Sequence, residues 1–278
     1  MPQDAADPVS SFLTDLGSNG IWFKPAGTKT AVVAYLSDES NAKGVKQSIL
    51  HYLDELKELG LPVRGSEVDL RTIEARDWAE ECKRGFRPIF ATKDIVILPD
   101  WDTSEFPGKI VVRIKPGMAF GTGDHATTQL CIRAIEKLLK PGDRVLDVGC
   151  GSAILSIVSA KLGASFALGL DIDQDAIENA KENLTLNATG HVVESRLGTA
   201  NPGLGQERFD LAVANINRVE IVESYDKIEP LVKNGGVLIF SGIPDDEEGY
   251  MTDFFKRQKL KEIEVTREKE WVCFAGKR

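Results

Sequence analysis

Apolar residues along this 278-residue chain follow two different patterns, and the change comes near Pro141. Before it, the elements are short and mixed. Ile21-Trp22-Phe23 and the stretch from Ala31 to Leu36 flank the turn-prone Pro25-Ala26-Gly27, which predicts a β-hairpin. Val45, Ile49, Leu53, Leu56 and Leu59 then recur at the spacing of one helix face, and Gly60 and Pro62 stop that helix. Glu67 to Ile73 alternates Val68, Leu70 and Thr72 with charged residues, which predicts another strand. Together these elements form a small sheet with a helix on one face, a smaller α+β domain over residues 1–74. Residues 75–114 read as a linker helix around Trp78-Ala79-Glu80-Glu81, followed by leading strands at Ile95 to Leu98 and Ile110 to Ile114, with Pro99 and Pro107 as punctuation.

From Pro141 onward the chain repeats strand, turn and helix. Val145 to Val148 is followed by a helix from Ala153 to Leu162 closed by Gly163, then by Ala167 to Asp171 and a helix from Asp175 to about Leu186. Phe209 to Ala214 and Val237 to Phe240 are short, continuous apolar runs, as strands buried on both faces of a parallel sheet require. The pattern predicts an open, doubly wound α/β sheet over residues 115–278. Ile263 to Val265 and Trp271 to Phe274 read as a closing antiparallel pair.

Composition narrows the picture. Met1 to Phe12 carries acidic residues and no long apolar stretch, unlike a secretory signal, and Lys161 interrupts the richest apolar run, so a cytoplasmic protein with no membrane span is expected. Cys82, Cys131, Cys150 and Cys273 are scattered and form no CxxC pair, and His51, His125 and His191 lie at no metal-ligand spacing, so neither a disulfide framework nor a metal site is expected. The net charge of −9 disfavours a direct grip on nucleic acid and suits a basic partner, although acidic residues also serve plain solubility.

In a doubly wound sheet, ligands bind beyond the carboxyl ends of the strands. The turn from Asp147 to Ala153 leaves a strand and opens a helix, and Gly149 and Gly151 let backbone approach a ligand closely. Ile154 occupies the place where a nicotinamide fingerprint wants a small residue, and the acidic Asp147 would repel a pyrophosphate while attracting the ammonium-bearing end of S-adenosylmethionine. The D-x-G-x-G order therefore favours S-adenosylmethionine over NAD. Asp171 ends the next strand, where a carboxylate can accept both ribose hydroxyls; Asp173 competes but suits a helix cap. Ala214-Asn215-Ile216-Asn217 follows a central strand, so the Asn215 amide can hydrogen-bond an incoming amine and aim its lone pair. Upstream, a loop rich in glycine and hydroxyls, with Phe120, Gly121 and Thr122, can close over a ligand while Thr127 or Thr128 caps the following helix. With no partner visible in the sequence, His125 reads better as a positioning residue than as a catalytic base.

Read together, Pro116-Gly117-Met118-Ala119-Phe120-Gly121-Thr122-Gly123, His125, Thr127-Thr128, Asp147-Val148-Gly149-Cys150-Gly151-Ser152, Asp171-Ile172-Asp173, Ala214-Asn215-Ile216 and Leu238-Ile239-Phe240-Ser241-Gly242-Ile243 resemble the PrmA family, the methyltransferases of ribosomal large-subunit protein eleven. Asp77-Trp78, Phe86-Arg87-Pro88, Leu98 to Trp101 and Glu270-Trp271-Val272 extend the likeness over about residues 74–278. The resemblance implies a Rossmann-like class I methyltransferase sheet with S-adenosylmethionine as cofactor. It implies that Thr128, Gly149, Asp171 and Asn215 contact that cofactor, joined by Gly151 and by Phe120, Gly121 and Thr122, with Asn215 also beside the reacting amine. It further implies an N-terminal domain that grips a ribosomal protein substrate, methylated on lysine side chains and an N-terminal amine. Three positions depart from the family pattern: Asp124 stands where Thr or His is frequent, Ala126 where Pro is frequent, and Ala153 at the usual third glycine of the turn. A methyl at Ala153 is tolerable if that glycine serves helix packing. A methyltransferase of another macromolecule, a noncatalytic binding module and a nucleotide-dependent oxidoreductase are the rival readings. Ile216 and Asn217 stand where the adenine-amine class carries paired prolines, which argues against that class.

Overall fold

The run from Gly20 folds back on itself as expected: β1 (Gly20–Ala26) pairs antiparallel with β2 (Lys29–Tyr35), with Trp22 opposite Val33. The computed structural model describes residues 87–115, 121–204 and 209–278 and, nearer the N-terminus, 8–10, 12–13, 16–18, 20–26, 29–36, 42–58, 61, 63 and 66–71. By its internal contacts the chain divides into two units, Met1–Lys83 and Arg84–Arg278. In the first, α1 (Ala42–Glu58) buries Ile49, Leu53 and Leu56 against Val9, Leu13 and Val63, so the three-and-four spacing is the core face of the helix. The Phe12 ring stacks on Tyr52 at 4.1 Å.

The strand expected over Glu67 to Ile73 does not form in residues 67–71, and 72–73 lie outside the described residues. Alternation alone makes no strand without a ladder to join: among the described residues β1 and β2 pair only with each other, and Leu70 is exposed. The expected linker helix around Trp78 to Glu81 also lies outside the described residues. The strands expected to lead into the main domain fall in the second unit, where β3 (Ile89–Phe90), β4 (Ile95–Pro99) and β5 (Ile110–Ile114) make a separate sheet with β4 and β5 parallel.

The main sheet holds β6 (Arg144–Val148), β7 (Phe166–Asp171), β8 (Val193–Leu197), β9 (Phe209–Asn215), β10 (Val232–Pro244), β11 (Lys261–Glu268) and β12 (Trp271–Lys277) in the order β11-β12-β10-β9-β6-β7-β8. The five strands from β8 to β10 run parallel, and β12 is antiparallel to both its neighbours. Successive residues of a strand point to opposite faces, and both faces here are covered. Val145, Leu211, Val213 and Ile239 share one core with Leu130, Ile132 and Ile135 of α2 (Ala126–Leu138), Ile157 and Val158 of α3 (Ile154–Lys161), and Ala180 and Leu184 of α4 (Gln174–Leu186). Leu146, Leu168, Ala212, Leu238 and Phe240 face the other core, with Ile221, Tyr225 and Ile228 of α5 (Arg218–Ile228) and Met251, Phe254 and Phe255 of α6 (Glu248–Arg257). Phe240 and Phe255 stack at 5.0 Å, and each fully buried side chain of this size contributes about 1.5–3 kcal/mol. From β6 the chain winds through β7 to β8 and then returns to β9 on the opposite side of β6. Such a reversal marks the place where doubly wound sheets carry their ligand crevice, here beyond the carboxyl ends of β6 and β9.

Candidate active site

Strand register decides which polar groups meet at this crevice. Asp147 pairs with Gly169 on β7 and with Val213 on β9. Asp171 and Asn215 lie two residues beyond those partners, so both share the sheet face of Asp147 and stand one pleat, about 7 Å, further out on either side of it. Burial follows: Asp147 is fully buried, whereas Asp171 and Asn215 are half-buried at the mouth. The sequence places three polar residues at strand ends, and the register turns them into one recessed carboxylate flanked by a carboxylate and an amide.

The turn after β6 is held against the end of β7. Gly149 and Cys150 both donate their N–H groups to the Leu170 carbonyl, at 2.8 and 2.9 Å, and the Gly151 N–H donates to Asp171 Oδ2 at 2.8 Å. The N–H groups expected to face a ligand are therefore used within the protein. What Gly149 supplies is space: its φ is +71°, and a Cβ there would stand 2.4 Å from Cγ2 of Ile216. The other side of Ile216 meets Gly242 of β10, where an added Cβ would lie 2.2 Å from the Ile216 carbonyl oxygen. The loop carrying Asn215 is thus wedged between two positions that only glycine fits. Nothing in the sequence around Ile216 or Gly242 shows that the two meet, because the contact joins segments far apart in the chain.

Ala153 caps α3 with φ +62° and no side-chain hydrogen bond. The methyl is accommodated, fully buried, at a backbone position that is left-handed, and that conformation costs an L-residue about 1–2 kcal/mol. Asp173, by contrast, caps α4 as expected, accepting from the Asp175 N–H at 2.9 Å. Asp171 Oδ1 accepts from the Asp173 N–H at 3.0 Å, so each Asp171 oxygen already holds one backbone donor. Ile172 and Leu197, both exposed at the ends of β7 and β8, add apolar surface beside Asp171 that was not foreseen; exposed apolar residues at strand ends are the signal that marks them.

On the other side, Asn215 Nδ2 lies 3.5 Å from Thr128 Oγ1, which brings two expected site residues together. Thr128 is buried in the first turn of α2. Neither Thr127 nor Thr128 caps that helix; the cap is His125, whose Nδ1 accepts from the Thr127 N–H and lies 2.8 Å from Thr127 Oγ1. The His125 ring also meets Trp271 edge-on at 5.0 Å, so histidine supplies an acceptor and an aromatic surface at once. Gly121 is tied to the turn after β6, its carbonyl accepting from Ser152 Oγ at 2.7 Å, and Thr122 donates its hydroxyl to Asp124. Phe120 lies outside the described residues.

Electrostatically the crevice is an acceptor. Asp147 Oδ1 and Asn215 Oδ1 are buried with no hydrogen-bond partner among the described residues. Burial, reinforced by the charge of Asp171, pushes the Asp147 carboxyl up to about 6, against the two hydrogen bonds from Ser156. A buried acceptor left without a donor costs about 1–3 kcal/mol, so this arrangement suits a ligand that brings donors and positive charge. S-adenosylmethionine fits that demand with a ribose diol and a cationic methionine end; a pyrophosphate, which offers only negative charge, does not.

A seven-stranded sheet with one reversed strand, and acceptors gathered at its switch point, define a Rossmann-like class I methyltransferase. The family model described as ribosomal protein L11 methyltransferase (PrmA) matches residues 1–278, and the chain belongs to that family. Among similar proteins are the ribosomal protein L11 methyltransferases of Listeria monocytogenes serotype 4b, 36% identical over 99% of this chain and 95% of that one, and of Clostridium perfringens, 36% identical over 90% of this chain and 80% of that one. The crystal structure of ribosomal protein L11 methylase from Lactobacillus delbrueckii subsp. bulgaricus superposes with a TM-score of 0.64 at 30% identity, covering 69% of this chain and 99% of that one.

Proposed function

We propose that this chain methylates amino groups of ribosomal protein L11 with S-adenosylmethionine, and that Asn215 is the residue that presents the amine. The observation that carries the proposal is the buried Oδ1 of Asn215, without a hydrogen-bond partner among the described residues, on an amide whose other end is held by Thr128. S-adenosylmethionine supplies, when bound, an electrophilic methyl group on a sulfonium. Asp171 would accept the ribose hydroxyls, Asp147 would face the cationic methionine end, and Gly149, Gly151, Gly121 and Thr122 would line the path between them, with Phe120 a further proposed cofactor contact. Asn215 Oδ1 would accept one N–H of the incoming amine and so direct its lone pair along the line of attack. A protonated amine has no lone pair to offer; a site poor in water lowers an amine's pKa, so the amine enters neutral with its proton left to bulk solvent, and no side chain is assigned as a base.

We assign the grip on the protein substrate to residues 1–74, joined through 75–114 to a catalytic part at 115–278. Among the described residues no helix is long and apolar enough to cross a membrane. A ribosomal acceptor implies a cytoplasmic reaction. The net charge of −9 favours contact with a basic protein over direct contact with nucleic acid. Purified ribosomal protein L11 incubated with the enzyme and S-adenosylmethionine should gain mass in methyl-sized steps on lysine or N-terminal amines. Label appearing only on another protein of a lysate from a strain lacking the enzyme would overturn the choice of substrate.

A further inference from the structure

Ser156 stands in the first turn of α3. Its backbone N–H and its hydroxyl both donate to the same oxygen of Asp147, Oδ2, at 3.1 and 2.7 Å, and both side chains are fully buried. The cap residue of α3, Ala153, offers no side-chain acceptor, so the Asp147 carboxylate takes that place at the positive end of the helix. The other oxygen, Oδ1, has no partner among the described residues. A carboxylate with both donors on one oxygen has a fixed plane and a fixed free edge.

We propose that Ser156 is a positioning residue for the cofactor: by clamping Oδ2 of Asp147 it keeps that group an oriented anion and turns Oδ1 toward the positive charge of the methionine end, met directly or through one ordered water. The inference rests on the proposed function, since it needs S-adenosylmethionine in this crevice. The setting makes the clamp consequential. Among the described residues, the titratable groups that act on Asp147 are Asp171 from β7, Cys150 from the turn after β6, and Cys131 from α2 with Cys273 of β12 against it, and none of these brings a positive charge. Burial and Asp171 push the carboxyl up to about 6, and the Ser156 hydrogen bonds are what oppose them. Without the hydroxyl, Asp147 keeps its proton to higher pH, and a neutral acid attracts a cation far less than a carboxylate does.

The test is cofactor affinity by calorimetry between about pH 5.5 and 8.5. The proteins compared are the unmodified enzyme, Ser156→Ala and Ser159→Ala. Ser159 is an equally buried serine of α3 whose hydroxyl bonds only its own helix, at the Leu155 carbonyl, so it controls for the loss of a hydroxyl. Affinity of the unmodified enzyme should fall as the pH drops below about 6. In Ser156→Ala that fall should begin at higher pH, giving a loss of about tenfold near neutrality that shrinks at the alkaline end, while Ser159→Ala follows the unmodified profile. A constant offset at every pH for Ser156→Ala, or the same displacement in Ser159→Ala, overturns the proposal. Should Ser156→Ala not fold, proton release by the unmodified enzyme decides: near pH 6 cofactor binding should expel about half a proton, read from heats in buffers of different ionisation enthalpy, and none expelled overturns the proposal. Tight but pH-independent binding removes the role of Ser156 alone, whereas no binding at any pH removes the proposed function with it.

Discussion

The Asn215 amide reaches the Thr128 hydroxyl across 3.5 Å, linking the end of β9 to the first turn of α2 and fixing which way the amide faces. Asn215→Ala should lower the rate of methyl transfer at least tenfold while changing cofactor affinity much less, because the lost hydrogen bond is one made to the acceptor amine. Thr128→Val should reproduce part of that loss. Single-turnover rates set beside calorimetric affinities measure both, and equal losses in rate and affinity would reduce Asn215 to a cofactor contact.

Asp171→Ala should weaken cofactor binding by about 1.5–3 kcal/mol, the usual worth of hydrogen bonds to a charged group. The substitution also strips the Gly151 N–H of its acceptor, so the turn after β6 should loosen as well. Titration calorimetry provides the check, and unchanged affinity would remove the ribose assignment.

Gly242→Ala should destabilise the fold by about 2–5 kcal/mol, combining left-handed backbone strain with overpacking against the Ile216 carbonyl. Gly142 offers the comparison: its φ is +93°, and a Cβ there would meet nothing within 4 Å, so Gly142→Ala should cost only the backbone part, about 1–2 kcal/mol. Urea unfolding midpoints of the two variants separate the terms, and equal costs would refute the wedge.

Asp147 gives stability a pH dependence of unusual sign for a carboxyl. Folded, it holds its proton to about 6; unfolded, it releases it near 3.8. Between those values the folded state binds more protons, so this group's contribution is full at low pH and is lost as pH rises through about 4 to 6. The loss is on the order of 3 kcal/mol. Carboxylates such as Asp210, whose partner Lys233 helps hold its carboxyl below the usual range, pull the other way. The comparison is therefore with Asp147→Asn: the stability of the unmodified protein relative to that variant should decline across the window, and parallel curves would show that the buried carboxyl does not titrate there.

The parts of the fold legible in the sequence were those whose apolar residues face inward on one side or both. The apolar runs from Val145 to Val148 and from Phe209 to Ala214 announce strands covered on two faces. β8 went unforeseen because it is an edge strand, Val-Glu-Ser-Arg-Leu, in which only Val193 is buried. α5 carries a weaker signal, Ile221, Tyr225 and Ile228 at helical spacing behind the capping Asn217, because three buried residues in eleven make a narrow apolar stripe. At the site, Asp171 and Asn215 were legible because strand ends are where ligands bind. The Ser156 clamp and the Ile216 wedge were not, since both depend on which residues face each other across space.

β12 lies inside the main sheet, between β10 and β11, although it is the latest of the strands to be synthesised. When the ribosome has made residues up to Leu260, β6, β9 and β10 can already pair, but one flank of β10 still waits for its neighbour. During that interval the nascent chain carries a raw strand edge, and such an edge recruits other chains. A catalyst built to modify a component of the translation machinery would thus depend on that machinery running on through Trp271–Lys277 before its own sheet could close.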